Sequence, residues 1–286
     1  MTKVKKSAKN AQRVPKGIVL TARVLEKVSP RLAVRFAAKL FTTPIKHKMP
    51  LREYDMDNQT VQTVLKIPSI QKNIMVYEWG DGTKKVLLVH GWSGRGTQLF
   101  KIAETLINQG FSVVSFDAPA HGKAAGNATI MTEFIAAIQE IDKKYGAFHA
   151  AIGHSLGGMA LLNAIKDGFA VNHLVTIGSG DKVKDIIDDF IAKLKLKPAT
   201  GVLLQQHFEK KYTTSMDSLS AYVAAKDVHI PVLVVHDEND EDVPERAAHH
   251  IFKHLKNGEM MITKKLGHRK ILGDEKVIEK TVAFIK

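Results

Sequence analysis

Ser155 lies between two glycines, in a pattern that could make it a nucleophile. Gly153 and Gly157 stand two positions before and after it, and the stretch reads G-H-S-L-G-G. An apolar run at 149–152 precedes the pattern, and a helix-like run at 159–165 follows it. A strand that turns abruptly into a helix crowds its backbone, so the flanking positions must lack a Cβ atom. The pattern therefore predicts a serine hydroxyl at a helix N-terminus, where free N–H groups can meet a developing negative charge.

A serine hydroxyl becomes a nucleophile only when a base takes its proton and a third group orients that base. His268, in a G-H-R stretch after the final apolar strand, is the candidate base. The loop after the apolar run 232–236 offers three candidate acids, which are Asp237, Asp240 and Asp242. The chain order Ser…Asp…His, with the acid and the base after buried strands, fits a catalytic triad.

Two backbone amides are candidates for an oxyanion hole. One belongs to Leu156, directly after the serine, and the other to Trp92, in the turn H-G-W-S-G at 90–94. Such donors typically lower the barrier by ~3 kcal/mol each. Arg95 and Gln98 could contact a polar group of a substrate, and a role in starting a helix is the alternative. His154 could line the pocket or could serve in packing.

Alternating strands and helices must position these residues. Apolar strands are predicted at 73–79, 85–90, 111–116, 149–153, 173–177, 232–236 and 259–263, and helices at 98–108, 129–145, 246–255 and 275–284. This alternation predicts a mostly parallel sheet with helices on both faces. Asp81-Gly82 is interpreted as a hairpin turn between the first two strands. Residues 181–229, with helical stretches at 186–196 and 202–208, are predicted to be a lid insertion.

The basic charge is concentrated in an N-terminal arm, residues 1–48. These contain thirteen Lys and Arg against one acid, Glu26, so the net charge of +13 leaves +1 (13 minus 12) for a domain at 49–286. Disorder is predicted from Met1 to about Pro15, followed by a helical stretch up to Phe41 that Ser29-Pro30 divides into two helices. The second helix has an apolar face and a basic stripe. We expect its apolar face to pack on the body of the protein or on a second subunit; the alternative is docking to an anionic membrane surface.

The composition excludes several classes of site. The chain has no cysteine, so disulfides and thiolate chemistry are absent, and no metal site is predicted. No apolar run approaches the roughly 20 residues needed to cross a bilayer, and no secretory signal is evident, so a cytoplasmic location is expected. Nucleic-acid binding is disfavoured because the basic arm lacks interleaved aromatic residues. Nothing in the sequence indicates an oligomeric state.

Five motifs together resemble the serine-dependent α/β-hydrolase family of esterases and lipases. They are H-G-W-S-G (90–94), F-D-A-P-A-H-G (116–122), G-H-S-L-G-G (153–158), H-D-E-N-D-E-D-V-P (236–244) and G-H-R (267–269). The resemblance covers residue 73 to the C-terminus and implies the α/β-hydrolase fold, Asp240 as the triad acid and no cofactor. The stretch D-A-P-A-H-G departs from the commoner form, which has a glycine between the acid and the turn, and this departure is expected to alter only the pocket wall.

The resemblance also implies a reaction, which is cleavage of a small-molecule carboxylic ester or related acyl bond through an acyl-enzyme. A thioesterase, an acyltransferase or a lipid hydrolase at a membrane surface is the alternative within the same chemistry. A non-catalytic scaffold of the same fold is the alternative of another class. The acyl group of the substrate cannot be read from the pattern.

Overall fold

The computed structural model describes residues 14–286, which form two compact units. The larger unit comprises residues 42–183 and 217–286, and the smaller comprises 14–41 and 184–216. The smaller unit therefore combines the N-terminal helices with most of the predicted insertion. The disorder predicted for residues 1–15 falls almost wholly outside the described residues.

An eight-stranded sheet forms the centre of the larger unit. Its strands are β1 (Val61–Ile67), β2 (Lys72–Trp79), β3 (Lys84–Val89), β4 (Phe111–Asp117), β5 (Phe148–His154), β6 (Val171–Ile177), β7 (Val232–Asp237) and β8 (Gly258–Thr263). They lie in the order β1-β2-β4-β3-β5-β6-β7-β8. The pairs β1–β2 and β2–β4 are antiparallel and all others are parallel. The predicted mostly parallel sheet is confirmed.

The helices follow the predicted alternation with the strands. In chain order they are α1 (Lys16–Val28), α2 (Pro30–Phe41), α3 (Tyr54–Gln59), α4 (Phe100–Asn108), α5 (Met131–Tyr145), α6 (Leu156–Lys166), α7 (Val183–Lys193), α8 (Pro198–Tyr212), α9 (Ala221–Ala225), α10 (Arg246–His254), α11 (Gly267–Lys270) and α12 (Glu275–Ile285).

The predicted hairpin at Asp81-Gly82 is wrong. Strands β2 and β3 are not neighbours, because β4 lies between them and pairs with both. The link passes over the start of β4, where a Cβ atom on Gly82 would collide with the carbonyl of Gly110. A glycine can mark a close approach between backbones as well as a turn, and here it marks the approach.

Helices cover both faces of the sheet, as predicted. Successive strand residues point to opposite faces, and Val86, Leu88, Val175 and Ile177 are buried in one cluster with residues of α4 and α12. Helices α5, α6 and α10 pack against the other face of the sheet. Full burial of one such aliphatic side chain stabilises the fold by roughly 1.5–3 kcal/mol. The opposed layers hold the carboxyl ends of the parallel strands in fixed positions.

The smaller unit shows what the apolar face of α2 packs against. Helix α2 packs on α1 and α8, and Ala33, Val34, Ala37 and Ala38 are buried. The Phe41 ring lies 5.1 Å from that of Phe190 in α7 and 5.5 Å from that of Phe208 in α8. The Glu26 carboxylate accepts hydrogen bonds from the Lys197 amide (2.9 Å) and the Thr200 hydroxyl (2.5 Å). The arm therefore packs on the insertion helices, a partner that the periodicity of α2 could not identify.

Candidate active site

Ser155 forms the sharp turn between β5 and α6. Its backbone has φ 54° and ψ −118°, a left-handed conformation that costs a non-glycine residue of order 1–3 kcal/mol. A Cβ atom on Gly153 would lie 2.6 Å from the carbonyl carbon of Gly157. On Gly157, a Cβ atom would collide with the carbonyl oxygens of Val89 and His90. The spacing of the two glycines thus has the steric cause that the sequence analysis assigned to it.

His268 is hydrogen-bonded to a buried carboxylate. Its Nδ1–H donates to Oδ2 of Asp240 at 2.7 Å, and the Asp240 side chain is only 1% exposed. The other carboxylate oxygen accepts the amides of Asp242 and Val243, each at 2.8 Å. Burial alone would raise the pKa of Asp240, but these hydrogen bonds, led by that from His268, hold the pKa below its usual value. Asp240 is therefore ionised and fixes the tautomer in which Nε2 of His268 can accept a proton.

Asp237 has a different task from Asp240. Its carboxylate accepts the amides of Gly267 (2.9 Å) and Leu266 (3.1 Å) and the Thr263 hydroxyl (2.7 Å). Burial raises its pKa, but these hydrogen bonds outweigh burial and the net shift is downward. Asp237 thus anchors the loop that carries His268, a role that the sequence analysis missed. The signal for it in the sequence is an acid at the end of a buried strand, where its carboxylate must find hydrogen-bond donors.

Two further residues lie against His268. Gly178, just after β6, has φ +59°, and a Cβ atom there would lie 3.3 Å from Nδ1 of His268. The His154 ring lies 4.7 Å from the His268 ring, between centroids, and its Nε2–H donates to the His268 carbonyl at 2.9 Å. Burial, together with the nearby His268, lowers the pKa of His154 to about 3. His154 is therefore neutral and holds the His268 backbone, and its place in a substrate pocket stays a prediction.

The turn that contains Trp92 lies next to Ser155. It is closed by a hydrogen bond from the Gly94 amide to the Gly91 carbonyl (3.0 Å), with Ser93 left-handed at φ 57°. A Cβ atom on Gly91 would lie 2.9 Å from the Cβ atom of Ser155. In residues 14–286, no hydrogen bond from the Trp92 or Leu156 amide to the protein is found. Both N–H groups are free to bind an oxyanion.

Two histidines brace this turn against the loop after β4. His90 accepts the amide of Ala118 at 3.1 Å, and His121 accepts the amide of Ser93 at 3.0 Å. Each ring donates its Nδ1–H to a nearby carbonyl, His90 to Gly91 and His121 to Pro119. Burial is the main cause that lowers the pKa of His90 to about 4 and of His121 to about 3. The two histidines therefore hold the turn that contains Trp92 against the loop after β4.

The departure in D-A-P-A-H-G falls at a position with special backbone geometry. Ala120 has φ 66°, in the left-handed region that favours glycine. The same loop is held by Asp117, whose carboxylate accepts the amides of Gly96 (2.7 Å) and Lys123 (2.6 Å) and the Tyr77 hydroxyl (2.8 Å). The missing glycine therefore adds backbone strain to a loop that Asp117 and His121 hold in place.

Arg95 and Gln98 both have partners within the protein. The Arg95 guanidinium donates to the His47 carbonyl at 2.8 Å and lies 3.5 Å from a Glu53 carboxylate oxygen. The side-chain oxygen of Gln98 accepts the Gly91 amide at 3.1 Å. Arg95 thereby ties residues 43–50, which have no regular secondary structure, to the turn that contains Trp92. A substrate contact from either side chain stays a prediction.

Two classes of site are not found in the part of the chain that the structure describes. Across residues 14–286, no group of three or more His, Asp or Glu side chains could hold a metal ion. Over the same range, no helix is long and apolar enough to span a membrane.

Comparisons with known proteins give the family and the fold. A family model described as the alpha/beta hydrolase family matches residues 86–275. No curated protein matches the sequence. Solved structures match over most of the chain at low sequence identity, so they show the fold alone.

Three of these structures show which kinds of protein share the fold. An esterase from Exiguobacterium antarcticum is 18% identical, covers 79% of this chain and 99% of its own, and gives a TM-score of 0.62. An esterase from Pyrococcus furiosus is 14% identical, covers 85% of this chain and 95% of its own, and gives 0.65. A bromoperoxidase from Bacillus anthracis is 15% identical, covers 79% of this chain and 99% of its own, and gives 0.61.

Proposed function

The chain belongs to the alpha/beta hydrolase family, and from this premise we propose that it is a serine hydrolase that cleaves carboxylic esters or related acyl bonds. The observation that carries the proposal is the hydrogen bond from Nδ1 of His268 to the buried carboxylate of Asp240. Within one sheet, β7 ends three residues before that acid, and β5 ends at the strained turn of Ser155. A base, an acid that orients it and a raised hydroxyl are the three parts that acyl transfer needs.

In the first half of the reaction, Nε2 of His268 takes the Ser155 proton as the Oγ atom attacks the carbonyl carbon of the substrate. The carbonyl π electrons move onto oxygen, and the N–H groups of Trp92 and Leu156 stabilise that oxyanion. The ionised Asp240 stabilises the imidazolium that forms on His268. When the intermediate collapses, the bond to the leaving group breaks and His268 gives its proton to that group.

The second half of the reaction repeats these steps with water. His268 removes a proton from water, whose oxygen attacks the acyl carbon, and the same two amides bind the second oxyanion. The bond between that carbon and Ser155 Oγ then breaks, His268 returns a proton to Oγ, and the carboxylic acid leaves. The substrate, one water molecule and the protein's own groups are enough to balance the two halves.

Replacement of the serine tests the proposal. We expect Ser155→Ala to lower kcat for p-nitrophenyl acetate and butyrate by roughly 10⁴-fold or more, because the nucleophile is lost. Its thermal unfolding midpoint should stay close to that of the native chain, because alanine keeps the Cβ atom and the backbone strain. Undiminished turnover by the folded variant would contradict the proposal.

A further inference from the structure

Helix α1 exposes an apolar stripe at the surface of the smaller unit. Leu20, Val24 and Val28 recur every four residues and are 64%, 50% and 72% exposed. At 100° per residue they fall within an arc of about 80° on one side of the helix. Ala22, which is fully buried, lies on the opposite side. The stripe is therefore the outward face of a helix whose inner face is already packed.

Basic side chains lie directly beside this stripe. On the helical wheel, Lys16, Arg23 and Lys27 occupy the adjoining arc of about 40°, and all three are exposed. Glu26 is the single acid in α1 and lies about 120° away from Leu20. Its carboxylate is bound to the Lys197 amide and the Thr200 hydroxyl. The outward surface of α1 thus combines three aliphatic groups with three cations and no anion.

We propose that this surface, the α1 face, docks on an anionic lipid bilayer. The α1 face consists of Lys16, Leu20, Arg23, Val24, Lys27 and Val28. A helix with apolar side chains on one side and flanking Lys and Arg lies in the plane of the bilayer interface, with its apolar side chains among the acyl chains. Each Lys or Arg near an anionic leaflet strengthens binding by roughly fivefold. Residues 1–13 precede α1 in the sequence and add five more Lys and Arg without an acid.

Charge argues against a second copy of the chain as the occupant. Pairing two α1 faces would bring two sets of three cations together, and like charges across an interface oppose association. An anionic bilayer meets the same cations with opposite charge and accepts the aliphatic groups as well. An anionic bilayer therefore interacts favourably with both the apolar and the basic side chains of the α1 face. A second copy of the chain would do so only with the apolar ones.

Vesicle flotation of the full chain tests this proposal. The vesicles are phosphatidylcholine alone, or phosphatidylcholine with a minor fraction of phosphatidylglycerol. We expect binding to the anionic vesicles only, and we expect added salt to weaken it. The triple variant Leu20→Ser, Val24→Ser, Val28→Ser should bind about tenfold more weakly or worse, because it keeps every charge and loses the buried apolar area.

A matched control removes exposed apolar groups elsewhere. Val61 and Val64 on the edge strand β1 are 67% and 60% exposed, so Val61→Ser with Val64→Ser should bind as the native chain does. Circular dichroism and thermal melting establish that each variant is folded. The Ser155→Ala variant should also bind normally, which separates this proposal from that of the hydrolytic function.

Two outcomes would overturn the proposal. One is unchanged binding by the folded triple variant. The other is the absence of lipid binding together with a dimer, seen in sedimentation of the native chain, that the triple variant loses. The second result would assign the α1 face to another copy of the chain.

Discussion

At the scale of single residues, two aspartates three positions apart have different roles around His268. Asp240 meets the imidazole itself, and Asp237 meets the backbone of the loop that carries it. The two carboxylates have similar burial in a similar setting, so residue type alone does not tell them apart. Their partners do, because Asp240 accepts a hydrogen bond from the imidazole, whereas the hydrogen bonds to Asp237 come from backbone amides and the Thr263 hydroxyl.

Asparagine at Asp240 and at Asp242 tests which carboxylate orients His268. We expect Asp240→Asn to lower kcat for p-nitrophenyl esters by roughly 10⁴-fold, because an amide can donate to Nδ1 and stabilise the wrong tautomer of His268. The unfolding free energy should change little by comparison. Asp242→Asn is the matched control and should keep activity near that of the native chain, and a large loss there would contradict the assignment of the acid.

Gly178 offers a second test at this scale. We expect Gly178→Ala to lower kcat by roughly 10–100-fold, because the new methyl group would press on His268 and a misplacement well under 1 Å is costly. The left-handed backbone adds a stability cost of about 1 kcal/mol. Steady-state kinetics together with urea unfolding measures both effects.

Gly110 supplies the control for backbone strain. It is also left-handed, at φ +81°, and a Cβ atom there meets nothing within 4 Å. Gly110→Ala should therefore show a comparable loss of stability with kcat unchanged. Equal losses of kcat in both variants would show that contact with His268 is not the cause.

At the scale of elements, the loops after β3 and β4 form one braced unit. His90 lies at the end of β3 and accepts from the β4 loop, while His121 lies in the β4 loop and accepts from the turn of Trp92. Both hydrogen bonds need an unprotonated Nε2 atom, and therefore a neutral imidazole, as acceptor. The geometry of the proposed oxyanion hole is thus tied to the protonation state of two buried side chains.

This bracing gives a prediction for stability against pH. The folded-state pKa is about 4 for His90 and about 3 for His121, below the unfolded value of 6.5. The unfolded chain therefore binds more protons below pH 6.5, so the stability is fully present above that pH. It is lost as the pH falls towards 4, by about 1.4 kcal/mol per pH unit for each histidine. Burial raises the pKa of Asp117 and acts in the opposite sense.

Comparison with a variant isolates the histidine contribution. We expect His121→Gln to show a shallower fall in unfolding free energy between pH 6.5 and 5 than the native chain, because one proton-binding difference is removed. Urea titrations at several pH values measure the two slopes. Parallel slopes would contradict the neutral, buried state of His121.

The strands are predicted correctly from the sequence where several consecutive residues are buried. Strands β3 to β7 are read from apolar runs, because a parallel strand covered on both faces is apolar throughout. The apolar runs of β2 and β8 are shorter and only partly buried. Strand β1 is missed because it is an edge strand whose Val61 and Val64 face solvent. The hairpin predicted at Asp81-Gly82 is wrong for another reason. The residue types of a turn depend on local backbone conformation, whereas the place of β4 between β2 and β3 depends on a segment distant in sequence.

At the scale of the whole molecule, the sequence predicts the family and the candidate catalytic residues that follow the strands. It does not predict which segments of the chain form each of the two units. Ser155, Asp240 and His268 are recognised because each lies in a short motif of fixed spacing. The smaller unit joins residues 14–41 to 184–216, a pairing that depends on contacts such as Phe41 with Phe190 and Phe208. No local pattern records such long-range contacts, and the same holds for Gly178 against His268.

Fluorophosphonate labelling with peptide mapping tests the central claim, an activated Ser155, most directly. The reagent phosphonylates a serine only when a base has activated its hydroxyl. We expect labelling of the native chain on the peptide that contains Ser155, none there in Ser155→Ala, and much slower labelling in Asp240→Asn. A folded native chain that is not labelled, or is labelled on a different residue, would contradict the claim.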